Sequence, residues 1–206
     1  MSLQSYQVPT QISQVSLEVK RSQFLSFAAP ATNRDEADNF IRSLRHQYPQ
    51  ASHVCWAYIA GAPNTTIRSM SDDGEPSGTA GMPILKVLEY SGYGDIVVAV
   101  VRYFGGTKLG TGGLQRAYSE AVTRVLADLP IKLKVERTNL QLVYDYTYDG
   151  NISRLLERYD TEDIDPNYTH QVTLNLAIAS NELDTFKIEL TNTTAGNVKV
   201  VSVDKD

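Results

Sequence analysis

At 206 residues with 42% apolar side chains, the chain suits one or two small globular domains and is short for an enzyme with separate cofactor and substrate domains. Its net charge of −5 is uneven: residues 1–131 carry 11 basic and 11 acidic side chains and residues 132–206 carry 8 and 13, which excludes bulk attraction to nucleic acid and confines any RNA contact to a local patch. One cysteine and three scattered histidines exclude an intrachain disulfide and a cysteine-rich zinc cage, and no run reaches the ~20 apolar residues of a membrane span. With MSLQSYQVPTQ lacking the basic start and apolar stretch of a secretory signal, the expectation is a cytoplasmic protein with no membrane partner, no metal and no cofactor.

VSLEV at 15–19 alternates as a half-buried strand, and FLSFAA at 24–29, beyond the polar KRSQ, reads as its hairpin partner or continuation. Asn33 followed by Glu36 marks a helix start, after which Ala37, Phe40, Ile41, Leu44 and Tyr48 recur at helical steps until Pro49. HVCWAYIAG at 53–61 reads as a strand covered on both faces, APNT as a turn and TIRSM at 66–70 as a returning strand. PILKVLEY at 83–90 predicts a helix with Pro83 at its first position, and DIVVAVVRYF at 95–104 a central strand. Thr111 is placed to cap a further helix whose Leu114, Ala117, Tyr118, Ala121, Val122, Val125 and Leu126 face the core, and Pro130 closes this unit. From 138 onward TNLQLVYDYT, ISRLLERY, TEDID, YTHQVTLNLAIA, NELDTFKIEL and NVKVVSV spell βαββαβ, the ferredoxin-like plan of an antiparallel sheet backed by two helices. The fold class is α+β, with domains at 1–132 and 133–206.

Two stretches carry unusual chemistry. RYFGGTKLGTGG at 102–113 places five glycines and Lys108 between a strand and a helix, where backbone N–H groups can cradle an anion or the glycines can simply permit a tight corner. Nucleotide signatures fail: Gly105 and Gly110 have GxxxxG spacing, but Thr111 and Gly112 stand where Lys and Ser/Thr are needed. SDDGEPSGTAGMP at 71–83 packs Asp72, Asp73 and Glu75 into a turn, open to a divalent cation or to ordinary turn formation, without the calcium-loop spacing. Arg102 or Lys108 would relieve the repulsion among these acids if the two loops lie together. His53 and Cys55 share one side of their strand, as a thiolate pair or as a buried thiol beside a satisfied histidine. Neither His53 nor the other histidines have a carboxylate partner evident in the sequence.

Taken together, HVCWAYIAGAP, SDDGEPSGTAGMPIL and VVRYFGGTKLGTGGLQRAYSEA resemble the YigZ/IMPACT family, most closely its bacterial YigZ branch. The resemblance implies an N-terminal domain like the second domain of a small-subunit ribosomal protein and the fourth domain of elongation factor G, followed by a ferredoxin-like domain. It implies a theme of translation regulation or nucleic-acid binding. Eukaryotic members add an amino-terminal module and restrain a translational kinase; no such module is expected in this chain, so that pathway is not carried over. The matching signature positions are Asp72, Asp73, Gly74, Glu75, Arg102, Gly105, Gly106, Lys108, Gly110, Gly112 and Gly113. Relatives commonly read Lys-Ser-Arg-Phe where this chain has Arg21, Ser22, Gln23 and Phe24, which shifts any RNA contact toward Lys20, Arg21, Arg102, Lys108 and Arg116.

The leading expectation is a non-enzymatic protein whose partner is RNA, the ribosome or a translation-associated protein, with no residue assigned as catalytic. A metal- or phosphate-dependent enzyme acting on a small phosphorylated or peptide substrate through Asp72, Asp73 and Glu75 is the first alternative. A protein-protein adaptor using Tyr103 and Phe104 is the second. The oligomeric state is not legible.

Overall fold

The computed structural model describes residues 5–203; Met1–Gln4 of the stretch searched for a signal lie outside them. Tyr6–Lys134 forms one unit and the residues from Val135 onward another. In the first, β1 (Ser5–Pro9), β2 (Ser13–Val19), β3 (Ser22–Pro30), α1 (Arg34–Gln47), β4 (His53–Ile59), β5 (Arg68–Ser71), α2 (Gly81–Ser91), β6 (Ile96–Tyr103) and α3 (Thr111–Ala127) are followed by β7 (Ile131–Val135). Strands β2-β3-β6-β4-β5 make an antiparallel sheet.

Both faces of this sheet are covered, which is why its middle strand carries no polar alternation. Val98 and Val100 pack with Phe24, Ala57, Ile84, Leu88, Tyr118 and Val122 beneath α2 and α3. On the opposite face Val97, Ala99 and Val101 meet the α1 side, where Ala37, Ile41 and Leu44 are buried. Every α3 residue expected in the core is buried there. Helix α1 starts as its sequence foretold: Asn33 accepts from the Glu36 amide at 2.9 Å while the Glu36 carboxylate accepts from the Asn33 side chain and from Thr32.

Several local expectations are corrected. Pro83 is the third residue of α2, because Asp72, from outside the helix, supplies the cap and the helix begins earlier at Gly81. Thr111 is the first residue of α3, and Gly110, at φ +74°, holds the capping position. Pro130 does not end the unit: β7 continues beyond it and pairs with β1, two short strands whose partnership is too distant in sequence to be read locally. Lys20 and Arg21, both at positive φ, form the two-residue turn joining β2 to β3.

The second unit runs β8 (Arg137–Tyr144), α4 (Asp149–Leu156), β9 (Thr161–Tyr168), β10 (Val172–Ala179), α5 (Leu183–Thr193) and β11 (Val198–Ser202). Its antiparallel order β11-β8-β10-β9 is the ferredoxin-like 4-1-3-2 arrangement. Leu140, Leu142, Leu174, Leu176 and Ile178 pack with Ile152, Leu155, Phe186 and Leu190 of the helices. Strand β9 is longer than expected, and a 3-10 turn at Tyr146–Tyr148 brings α4 in three residues early. The architecture is α+β in both units.

Candidate functional site

Strand alternation decides which side chains meet. Val98 and Val100 face α2 and α3, so Arg102, next on that side of β6, points into the same apolar layer with Phe24 of β3 and His53 of β4 in register beside it. An arginine only 5% exposed needs a counter-charge. Glu75 supplies it, accepting from Arg102 Nη1 at 2.5 Å. Arg102 Nη2 reaches Ser22 Oγ at 3.4 Å, and the Phe24 and Phe104 ring centroids lie 5.3 and 5.7 Å from the guanidinium carbon. Arg102 Nε is buried with no hydrogen-bond partner among the described residues.

Tyr118 of α3 donates its hydroxyl to Glu75 Oε1 at 2.9 Å, and Cys55 Sγ lies 3.3 Å from that hydroxyl and 2.9 Å from the Asp72 carbonyl oxygen. Burial pushes the pKa of both Cys55 and Tyr118 far above the ordinary range, so each is protonated at neutral pH. Of the two readings of Cys55 and His53, the buried thiol is the one this environment fits. His53 does have a carboxylate neighbour, contrary to the sequence reading: its Nε2 is 3.9 Å from Glu75 Oε2, while Nδ1 lies 2.8 Å from the Asp73 carbonyl oxygen.

The three loop acids turn toward different elements instead of a shared cation. Asp72 accepts from the amides of Gly78, Ala80 and Gly81 at 2.8, 2.9 and 2.8 Å, capping α2 from outside. Burial alone would raise its pKa, but these amide donors outweigh it and hold the carboxyl below its ordinary value. Asp73 accepts from the Val54 amide and from Arg45 of α1, both at 2.7 Å, and Gly74, at φ +86°, passes close to the His53 ring. Among the described residues no set of three His, Cys, Asp or Glu converges as a metal site. Of the two cations considered as partners for these acids, Arg102 takes the role and Lys108 does not; Arg45 was not foreseen.

The glycine segment does two separable things. Gly105 is a close-approach position, since a Cβ there would lie 2.0 Å from the Arg21 carbonyl, and its amide donates to Ser22 Oγ at 3.1 Å. The loop is thus fastened to the β2–β3 turn, where Arg21 also donates to Thr107 Oγ1 at 2.9 Å. Further on, Gly106 and Gly110 have positive φ and lead into α3, whose first internal bond is made by the Leu114 amide to the Gly110 carbonyl. The amides of Thr111, Gly112 and Gly113 precede that bond, and no side chain caps them. Arg116, one turn into α3, donates from Nε to the Gly112 carbonyl at 3.2 Å.

Between the two loops opens a cavity of about 330 Å³, with Glu75 and Pro76 on one wall, Lys108 to Thr111 on the other and Arg102 at its base. Arg102, Glu75, Lys108 and Gly110 therefore meet at one place; Lys20 and Arg21 lie at the turn fastened to Gly105, and Asp72 and Asp73 serve as struts. Tyr118 and Ser22 are site residues that the sequence reading did not single out. The one signal available was Arg102 itself, a charge on the buried side of an apolar strand, which required a partner.

The sequence matches the Impact N-terminal domain over residues 20–126 and a domain of unknown function, DUF1949, over residues 142–197. It is 36% identical over 196 residues to an IMPACT family member of Haemophilus influenzae, covering 95% of each chain. It is 35% identical over 204 residues to the IMPACT family member YigZ of Escherichia coli, covering 98% of this chain and all of the relative. A solved structure described as a hypothetical protein matches with a TM-score of 0.71 and 34% identity over the full length of both chains. No helix among the described residues is long and apolar enough to cross a membrane.

Proposed function

This chain belongs to the IMPACT family, and from that premise we propose that it is a non-enzymatic, cytoplasmic RNA-binding protein of translation, gripping phosphates at the amino terminus of α3. The carrying observation is the conjunction at one cavity of the uncapped start of α3, at Gly110 and Thr111, with Lys108 and a buried arginine. Helix N-termini favour anions through their free N–H groups and dipole. Lys20, Arg21 and Arg116 extend this spot along the adjoining turn and helix, giving contacts that position a strand without reading its sequence. The loop carboxylates are already held by protein partners, which favours a shaping role for them over proton transfer or cation binding.

The test is a filter-binding titration of single-stranded and ribosomal RNA fragments at low and moderate salt. Lys108→Ala and Arg116→Ala are each expected to weaken binding and to flatten the slope of log K against log salt by about 0.7, the value for one phosphate contact to a single strand. RNA affinity no better than that of an unrelated protein of equal net charge would remove the proposal.

A further inference from the structure

The cavity between the loops is divided by chemistry in a way that backbone gripping alone does not need. One end is anionophilic: Gly110 and Thr111 line it at the uncapped start of a 17-residue helix, with Lys108 beside them. A Cβ on Gly112 would meet nothing within 4 Å, so no packing inside the protein demands a glycine there, although glycine is a weaker helix former than alanine. The walls are apolar, from Pro76, Leu109 and Leu114. At the rim the Phe104 ring, 50% exposed, lies against the Arg102 guanidinium, a flat surface suited to stacking a planar group.

The base of the cavity holds unused hydrogen-bonding capacity. Arg102 is 5% exposed, and its enclosed Nε has no partner among the described residues, so the reachable group is the Glu75 carboxylate. Both hydrogen bonds to the Glu75 carboxylate fall on Oε1, leaving Oε2 with only His53 at 3.9 Å. An acceptor left open at the cavity base matches a hydroxyl or the amino edge of a base, since buried polar atoms are ordinarily paired. About 330 Å³ suits one nucleotide-sized body, not a run of stacked bases.

Resting on the phosphate reading of the α3 terminus, we propose that this cavity takes a single nucleoside monophosphate unit, either a free mononucleotide or one unstacked nucleotide of an RNA strand. Its phosphate sits at the uncapped start of α3, beside Thr111 and Lys108, its base stacks on Phe104, and its sugar or base edge donates to Glu75 Oε2.

Amide-resolved NMR titrations of the full chain with AMP, UMP, adenosine and inorganic phosphate test this, followed by competition between AMP and single-stranded RNA. Saturable AMP or UMP shifts at residues 104 and 108–113, at least 10-fold tighter than phosphate at the same amides, are expected. Phe104→Ala should bring AMP affinity down to that of phosphate while leaving phosphate binding unchanged; preserved dispersion of the spectrum verifies that this exposed-site variant folds. Displacement of RNA by AMP points to an RNA nucleotide as the source. AMP binding with no RNA binding keeps the mononucleotide site and removes the RNA function. RNA binding through Lys108 with no AMP shifts, or with AMP binding no tighter than phosphate, overturns the nucleotide site and leaves the RNA function standing.

Discussion

Removing the Asp72 carboxylate tests whether the acidic loop is a strut. In Asp72→Ala the amides of Gly78, Ala80 and Gly81 lose their common acceptor, and α2 has no cap of its own because Ala80 sits at the capping position. Hydrogen bonds to a charged group contribute about 1.5–3 kcal/mol each. Three bonds sharing one carboxylate are not additive, and water reaches the partly exposed loop, so the expected loss is about 3–5 kcal/mol. Asp72→Asn retains one acceptor oxygen and should lose roughly half of that. The pH dependence has a fixed sign: the folded carboxyl has a lowered pKa, so its contribution is fully present above the unfolded value near 4 and is lost as pH falls through the folded one. Urea denaturation at neutral pH and at successively lower pH gives both readings. The wild-type advantage over Asp72→Asn should shrink as the medium is acidified from about pH 5. A loss under about 1 kcal/mol for Asp72→Ala, or a constant gap across pH, would refute the strut.

Other outcomes follow from the same geometry. Glu75→Gln and Arg102→Met should each cost about 3–5 kcal/mol by stranding a buried partner, with the double variant well short of the sum; a urea double-mutant cycle measures the coupling. Gly105→Ala should destabilise by at least about 1–3 kcal/mol, since its Cβ collides with the Arg21 backbone, whereas Gly112→Ala should raise the melting temperature and weaken anion binding by crowding the amides. Cys55 in the native protein should react with a thiol reagent only at the rate of unfolding, because burial keeps the thiol protonated and covered; rapid labelling at neutral pH contradicts that environment.

What was legible in the sequence was local. The Asn33–Glu36 cap, the apolar run of β6 and the core face of α3 each follow from a period or a cap within one segment, and each lies where expected. Misplaced features depend on groups far apart in the chain. Pro83 reads as a helix opener only if the cap is adjacent, yet it comes from Asp72. The β1–β7 pair joins strands near opposite ends of the first unit. Tyr118 was recognised as core, but its hydroxyl on Glu75 is invisible to hydrophobic periodicity. The candidate residues themselves were visible as unusual loops; their division of labour was not, because three neighbouring acids in a turn look alike until their partners on α1, α2 and β6 are placed.

The proposed anion site on an acidic chain depends on that division. Alternation along β6 forces Arg102 into the sheet's α3 side, and the cost of a charge there is offset by drawing Glu75 inward. Asp73 is neutralised against Arg45 and Asp72 against the start of α2, so the acids nearest the cavity are spent inside the protein. Residues 1–131 carry equal numbers of acidic and basic side chains, and the excess negative charge lies beyond residue 131. With the loop acids paired, the proposed anion site rests on the α3 amides and Lys108, and charges beyond a Debye length of about 8–10 Å are screened. A local site therefore needs no basic excess in the whole chain, only acids that are paired where they stand.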